Sequence, residues 1–555
     1  MVVSLLYSRF GKTDEFSRQS FIGKGIYAFE NQINRSAKWF SNLLKWSLSH
    51  KLITLFIALT LTVGSVSLLT FGFIGSENAS QGDQGQFVIK IELPRFATIE
   101  QTNQIAYKAE NTIRSNRLVE SVFTTVGAEE NGQPQARLAD MRIKMIPHNQ
   151  RNISAVDFAR EIKLFLQKNI PGVKVQLAMT DLMGNIDEAP IQYYITGHHI
   201  DSVTIAANHI LNNIKSVKGI IDPELSAEEG SPEISIIPDR EKMATMGIPF
   251  EMLGMALNNA FSGNNDAKFR QNNNEYDINI RLDHFDRQSI TDIENFSLIN
   301  ISGEVIKLKQ FAKIEETNAP GILERRNRSA SVTISCQPVG RPIGDIGQDI
   351  DKIVSSLNLS ENITVIPGGE LKVQDESFGT MGIALIVSIL LVYLIMVLLY
   401  NSYLYPFVVL ISIPLAVIGA FLALALTMNT LNLFSMLGLL ALIGLVAKNA
   451  ILLVDFTNQA KEKGMELKTA LIEATRQRFR PILMTTAAMV IGMLPIALAS
   501  GAGAEWKNGL AWVMIGGLIS SMFLTLIVIP IVYYLMDRML AKLGLNKKNI
   551  IEINK

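Results

Sequence analysis

One lysine, Lys448, sits in the middle of the apolar run Phe434–Phe456, FSMLGLLALIGLVAKNAILLVDF. The run is long enough to cross a bilayer as a helix. A lysine at bilayer depth costs about 2.5–3.5 kcal/mol on insertion scales, so it must face other helices or a wet cavity and pair with an acid. The nearest acid in the run is Asp455, seven residues on and on the same helical face. At 1.5 Å rise per residue it lies about 10 Å along the axis, near the end of the run, which makes it a poor direct partner. The acid for Lys448 has to be sought elsewhere.

Other groups able to do chemistry are less organised. His198 and His199 are adjacent in TGHHID. On a strand they point apart, so they suit no shared metal ion and no metal site is expected. The single cysteine, Cys336, excludes an internal disulfide and reads as an inert strand residue in SVTISC. There is no GxxxxGK[ST] to cradle a nucleotide and no GxSxG elbow, and PIGDIGQD lacks dinucleotide-fingerprint spacing. These absences argue against an enzyme.

The elements that must position Lys448 follow from composition. The chain has 555 residues, 48% of them hydrophobic, and 51 basic against 51 acidic side chains. That balance gives no sign of nucleic acid binding, and the apolar content points to membrane spans. MVVSLLYSRF shows no cleavable signal peptide. Leu52–Ile74 is an uncharged span, and Ser377–Tyr400, Tyr403–Thr427, Leu433–Thr457, Pro481–Ala499 and Gly509–Leu535 make five more. Basic residues collect before the first span, in Asn458–Arg480 and after Leu535, which places these three segments in the cytoplasm. The polar stretch Gly75–Glu376, Met428–Asn432 and Ser500–Asn508 then fall outside. Before the first span, Ile22, Ile26, Phe29, Ile33, Ala37, Phe40 and Leu44 recur at helical steps. That spacing suits a helix at the membrane surface, or else a tethered cytoplasmic lead-in.

The external stretch alternates between strand and helix periods. Gln86–Leu93, Thr98–Ser115, Val119–Val126, Arg137–Ile146, Ser154–Asn169 and Val173–Met179 read as β-α-β-β-α-β, a ferredoxin-like unit. A second unit is interrupted. Ile191–Thr196, Asp201–Val217 and Ile220–Leu225 form its first half, and Ser331–Ser335, Gly344–Leu357 and Ile363–Pro367 its second. Residues of about 230–325 are an insertion whose SGNNDAKFRQNNNEYDINIRL reads as an exposed hairpin. The expected fold is a six-helix α-helical membrane bundle plus a large α+β domain of ferredoxin-like subdomains with an inserted subdomain.

Several stretches carry a family resemblance: PEISIIPDREKMATMGIPFEML, GILERRNRSASVTI, IGLVAKNAILLVDF, and RQRFRPILMTTAAMVIGMLP followed by SGAGAEWKNGLAWVMIGG. From about Phe21 to Arg538 the chain resembles the C-terminal half of a resistance-nodulation-division (RND) efflux permease of the hydrophobe/amphiphile, acriflavine-resistance-like type. The resemblance implies two porter subdomains, at 75–185 and at 186–229 with 326–376, and a docking subdomain at 230–325. A lead-in (1–51), a first span (52–74), a five-helix bundle (377–537) and a tail (538–555) complete the chain. In the family two such halves form one protein related by an internal repeat. Here one half is found, and Met1 lies near where the sixth span of a full pump ends.

The resemblance also assigns roles. A lysine on the tenth span of such pumps pairs with two aspartates on the fourth, helped by an arginine and a threonine at the eleventh. By motif these are Lys448, Arg478 (with Arg476 and Arg480 as rivals) and Thr485. The aspartate pair has no counterpart here, so it is expected on a missing N-terminal half. Beside the substrate pocket the family has a glycine-containing loop, matched by Val126–Arg137 with Phe123, Gly127 and Glu130 as pocket residues. Ala128 and Glu130 stand where aromatics are expected, and Glu129 and Glu130 make the loop acidic. Either feature departs from a broad hydrophobic pocket or favours cationic substrates.

The function implied is half of a proton-driven multidrug/amphiphile exporter in a bacterial inner membrane, with a large periplasmic domain. It needs no cofactor beyond the proton motive force. Its implied partners are the N-terminal half, a trimeric assembly, a periplasmic adaptor, an outer-membrane channel and small amphiphilic substrates. The alternatives are a transport-inactive interaction subunit and a secretion-accessory RND relative.

Overall fold

The computed structural model describes residues 21–79, 83–94, 97–130, 133–179, 189–226, 231–272, 274–319, 323–501 and 503–542. Helix α1 (Phe21–Ser49) runs into α2 (Lys51–Thr70) across His50. Strand β1 (Gln86–Glu92), α3 (Ile99–Arg114), β2 (Val119–Val126), β3 (Leu138–Met145), α4 (Ala155–Asn169) and β4 (Lys174–Met179) follow. The four strands make one sheet in the order β2-β3-β1-β4, with β1 antiparallel to both neighbours. Ile89 stands opposite Met141 on β3 and Leu177 on β4. Both helices start where capping chemistry allows. Thr98 accepts from Gln101 N–H in a capping box, and Ser154 accepts from Asp157 N–H. Their inner faces bury Ala106, Ala109, Ile113, Phe158, Ile162 and Leu166 against Phe87, Ile89 and Ile91.

The chain continues with β5 (Ile191–Gly197), α5 (Ile200–Ile214) and β6 (Ile220–Leu225). A separate compact unit comprises Thr196–Thr204 and Leu225–Val332. In it β7 (Ser231–Pro238) precedes α6 (Arg240–Thr245), α7 (Phe250–Phe261), the hairpin β8 (Asn264–Gln271) and β9 (Asn274–Ile280), and β10 (Ala312–Ala319). β7 and β10 pair antiparallel, and Met243, Ile248, Leu253, Leu308 and Phe311 form the core of this unit. Every described residue of β9 is exposed.

Strand β11 (Ser329–Pro338), α8 (Ile343–Ser356) and β12 (Thr364–Gly368) return the chain, with the order β11-β5-β12 and β6 also on β11. The remaining helices are α9 (Gly369–Tyr400), α10 (Tyr405–Leu410), α11 (Ser412–Leu426), α12 (Leu433–Glu462), α13 (Leu467–Ala497) and α14 (Ala504–Lys542).

With α10 and α11 taken together, six helices among the described residues are long and apolar enough to cross a membrane. Their boundaries depart from hydropathy, most clearly in three places. The segment expected as one span over Tyr403–Thr427 is broken at Ile411. Pro414 has no N–H to give the Leu410 carbonyl, and its ring crowds that carbonyl. The segment expected to start at Pro481 is helical from Leu467, so most of the basic run 458–480 is helix rather than loop. Its Ala470, Leu471 and Ala474 are buried at helical spacing, which pulls this charged sequence onto the bundle. Third, α9 starts at Gly369, inside the stretch expected to be external.

The span of α10 and α11, α12 and α14 form the inside of the bundle and bury 56%, 56% and 61% of their most apolar stretches, against 11%, 6% and 17% for α2, α9 and α13. The α11–α14 crossing is backbone to backbone. A Cβ on Gly419 would stand 2.1 Å from the Gly516 carbonyl oxygen, and one on Gly516 would stand 2.2 Å from that of Gly419. Ser520 seals the contact, accepting from Gly419 N–H at 3.2 Å and donating to the Leu415 carbonyl at 3.0 Å. Small residues and hydroxyls of this kind hold helices together where no hydrophobic effect operates between them.

The strap that follows α2 anchors the start of α12. Leu431 N–H donates to the Gly75 carbonyl at 2.8 Å and Leu433 N–H to that of Asn78 at 3.1 Å. Asn432, 2% exposed, caps α12 by accepting from Ser435 N–H. Farther along, Asp83 binds Arg151 through both carboxylate oxygens at 2.7 and 2.5 Å, and its N–H donates to Glu505 on α14 at 3.2 Å. Burial alone would raise the Asp83 pKa, but the Arg151 guanidinium together with the N–H groups of Gly85 and Ala155 outweighs it and holds the carboxyl below its usual range.

Two outcomes are expected from unfolding of the solubilised chain. Gly419→Ala should cost about 1–3 kcal/mol through overpacking, whereas Gly382→Ala, whose added carbon meets nothing within 4 Å, should cost nothing measurable. Asp83→Asn should cost about 3 kcal/mol, because the Arg151 side chain is 1% exposed and would be left uncompensated. Since the Asp83 pKa is depressed on folding, its contribution is complete above about pH 4 and disappears as pH falls through the lower folded value. The Asn variant should therefore lose that acid-dependent part of the stability curve.

Candidate functional site

Lys448 lies near the middle of α12. Around it Leu442, Ile443, Val446, Ala447, Asn449 and Ala450 are buried, as the inner position of the helix requires. Leu437, Ala441, Gly444 and Lys448 are instead exposed, at steps of four, three and four. They form one stripe along an otherwise covered helix. Among the described residues Lys448 makes no ion pair, and a carbon added to Gly444 meets nothing within 4 Å. Asp455, the nearest acid on the helix, accepts instead from Gln459 Nε2 at 2.9 Å.

The other relay candidates lie on α13. Thr485 is exposed and its hydroxyl donates to the carbonyl of Ile482, on its own helix, at 3.1 Å. Its neighbour Thr486 is 2% exposed, with a hydroxyl that finds no partner among the described residues. The motif reading did not single out Thr486, and only burial distinguishes the two. Arg478 is half-buried, with its guanidinium 5.2 Å from the Phe456 ring on α12 and its Nε without a hydrogen-bond partner among the described residues. Arg476 is exposed beside Glu473 at 3.9 Å, and Arg480 is exposed. Arg478 thus lies against the lysine-bearing helix. Among the described residues no hydrogen bond joins Lys448, Thr485 and Arg478, and two of the three face outwards.

The residues of the second candidate site are placed on and after β2. Phe123 is 66% exposed and stands opposite Arg142 of β3. Gly127 has φ +76°, a left-handed conformation that suits glycine, and its N–H donates to the Leu138 carbonyl at 2.9 Å. Ala128 is buried, so the position where an aromatic was expected is turned inwards. Glu129–Glu130 then pair with Gln133–Pro134, so this loop is a short hairpin. The Glu130 side chain lies outside the described residues.

Two further expectations are corrected or refined. His198 and His199 are not on a strand, because β5 ends at Gly197 and they occupy the bend before α5. Cys336 is on β11, 1% exposed, and burial pushes its thiol up to about 12. In the separate unit, sequence reasoning missed an open pocket lined by Arg240, Met243, Ile248, Pro249, Phe250 and Ile301.

Residues 2–537 match the AcrB/AcrD/AcrF family. The chain belongs to this family of RND permeases. It is 28% identical over 535 residues to the multidrug resistance protein MdtC of Escherichia coli O17:K52:H18 (strain UMN026), covering 95% of this chain and 51% of that one. It is 27% identical over 529 residues to the swarming motility protein SwrC of Bacillus subtilis (strain 168), covering 95% and 49%. Two crystal forms of a heavy metal efflux pump share the fold, with TM-scores of 0.76 and 0.77 at 24% and 23% identity. Each covers 90% of this chain, and this chain covers 51% and 52% of them. The chain therefore spans about half the length of the curated relatives it matches. RND permeases are multi-pass membrane transporters rather than enzymes, in keeping with the six apolar helices.

The open position of Lys448 makes a signed prediction. In this chain by itself, Lys448→Met should stabilise the bilayer-embedded fold by about 2 kcal/mol, because it removes an uncompensated charge. Unfolding of the reconstituted chain measures this, and a loss of stability would mean that an acid within the chain already serves the lysine.

Proposed function

We propose that this chain is the C-terminal half of a proton-driven RND efflux permease that exports small amphiphilic molecules. The observation that carries this reading is Lys448, a cation at mid-span on an exposed stripe, with no acid paired to it among the described residues. The lysine is compensated by aspartates of an N-terminal half, carried on a longer chain or on a second one. While the aspartates are ionised, Lys448 holds them and lowers their proton affinity. Protonation releases the lysine and lets α12 shift against the facing bundle. Thr485, on the open side of α13, relays the proton, and Arg478 steadies α12 through Phe456. Protons moving down their gradient thereby drive the external domain between states.

In this reading the sheet β2-β3-β1-β4 and the sheet containing β5 are ferredoxin-like porter subdomains, and the unit around β7 and β10 docks partners. Phe123 and Gly127 border the substrate path, with the acidic Glu129–Glu130 turn favouring cationic amphiphiles. The hairpin β8–β9 supports a trimeric assembly. It exposes Phe269, Tyr276, Ile278 and Ile280 by 51%, 53%, 41% and 62%, an apolar surface that a neighbouring protomer would cover. A periplasmic adaptor and an outer-membrane channel complete the pump.

The test uses proteoliposomes with an imposed pH gradient. The chain co-reconstituted with an N-terminal half bearing paired aspartates should show substrate-stimulated proton flux. Lys448→Met should abolish that flux, and Thr485→Val should reduce it at least about tenfold. Proton-coupled export by this chain alone would overturn the reading.

A further inference from the structure

Helix α1 is amphipathic, and the described part of its apolar face is already occupied. Ile33, Phe40, Leu44 and Leu48 are buried, with 7%, 2%, 0% and 5% residual exposure, and the Phe40 ring lies 5.3 Å from that of Phe479 on α13. Ile22, Ile26 and Phe29 have side chains outside the described residues. The lead-in helix thus spends its described apolar face on the protein bundle, not on lipid. What remains is the opposite face, with Arg35, Lys38, Trp39, Asn42, Lys45, Trp46 and Ser49 exposed.

That face has an internal repeat. Lys38–Trp39 recurs seven residues on as Lys45–Trp46. At about 100° per residue, seven residues bring a side chain back to nearly the same azimuth two turns along, roughly 10 Å away. The two lysines therefore form one row and the two tryptophans a parallel row about 100° round the helix, with Arg35 between them. Trp39 and Trp46 are 62% and 47% exposed, large apolar surfaces for a helix that has already buried its other side. Trp46 is held in place by the His50 ring, stacked at 5.0 Å. No acid occurs from Asn31 to Lys51, and Arg35, Lys38 and Lys45 make no ion pair among the described residues. Across His50 the helix runs directly into α2, an apolar span, so this face lies where the chain meets the bilayer surface.

We infer that the outer face of α1 is a binding site for anionic phospholipid, with Lys38 and Lys45 holding headgroup phosphates and Trp39 and Trp46 seated at the headgroup–acyl boundary. Tryptophan prefers that depth because its ring is apolar and its N–H polar. Lysine beside it gains from the negative surface of an anionic leaflet. The row spacing admits two headgroups side by side. The site requires no transport and stands whether or not the efflux reading does.

The test uses the full chain in nanodiscs, with Trp506→Phe and Trp512→Phe so that Trp39 and Trp46 report. Phosphatidylcholine discs receive brominated phosphatidylglycerol or, at equal mole fraction, brominated phosphatidylcholine. The anionic lipid should be enriched beside the tryptophans about fivefold per engaged lysine and quench correspondingly more strongly. Lys38→Gln with Lys45→Gln should remove the excess, and Lys38→Arg with Lys45→Arg should keep it. Equal quenching by the two lipids, or an excess that survives the Gln pair, overturns the site. Absence of quenching by either lipid means protein covers this face, and overturns it too. Should the Gln pair fail to fold, high salt on the Lys-bearing protein decides: an excess that salt leaves unchanged overturns the proposal.

Discussion

A charge at mid-span has to be compensated, and the arrangement around Lys448 follows from that constraint. The helix that carries it is inside the bundle, covered on most of its circumference by α14, α13, α9 and α11. Only the stripe of Leu437, Ala441, Gly444 and Lys448 is left uncovered along that part of the helix. A bundle that closed over this stripe would strand the ammonium in an apolar core at a cost of several kcal/mol. The stripe is left open instead, and Asp455, farther along the helix, accepts from Gln459.

The rest of the bundle holds that helix rigidly. The glycine-to-glycine crossing of α11 and α14 allows no side chain between the two backbones, and Ser520 ties the two with hydrogen bonds. At the outer end the strap from Gly75 to Asn78 pairs with the residues just before α12, while Gly344 N–H donates to the Ser76 carbonyl at 2.9 Å. The start of the lysine helix is thereby bonded to the same strap as α8. At the other end α1 lies on α13 through Phe40 and Phe479. Each device fixes backbone against backbone or ring against ring, the kind of contact that transmits displacement instead of absorbing it.

Much of this was legible residue by residue. The periods of two and 3.6 located the strands and helices of the first sheet to within about a residue, with Thr98 and Ser154 marking the helix starts. Hydropathy found the apolar helices but not their ends. Pro414 was in plain view, yet an uninterrupted apolar run hides a break, because hydropathy reports solvent preference and not hydrogen bonding. The turns from Leu467 to Arg480 carry too much charge to read as part of a span, and their helical state depends on packing Ala470, Leu471 and Ala474. For the candidate site, Lys448 stood out by charge alone. The motif pointed to Thr485 and Arg478, but that Thr486 is the buried threonine and that Arg478 lies against Phe456 depend on how α13 packs.

The amino-acid sequence by itself determined the kinds of element, the charge that needs a partner and the family motifs around it, because these depend on residue type and near-neighbour spacing. Only the tertiary structure decided which helices are inside, which side of α12 is open, and that the described apolar face of α1 is used up by protein while its Lys-Trp rows face outwards. Those outcomes depend on contacts between residues far apart in the chain, such as Gly419 with Gly516 and Phe40 with Phe479, and local sequence carries no record of which distant surface will arrive.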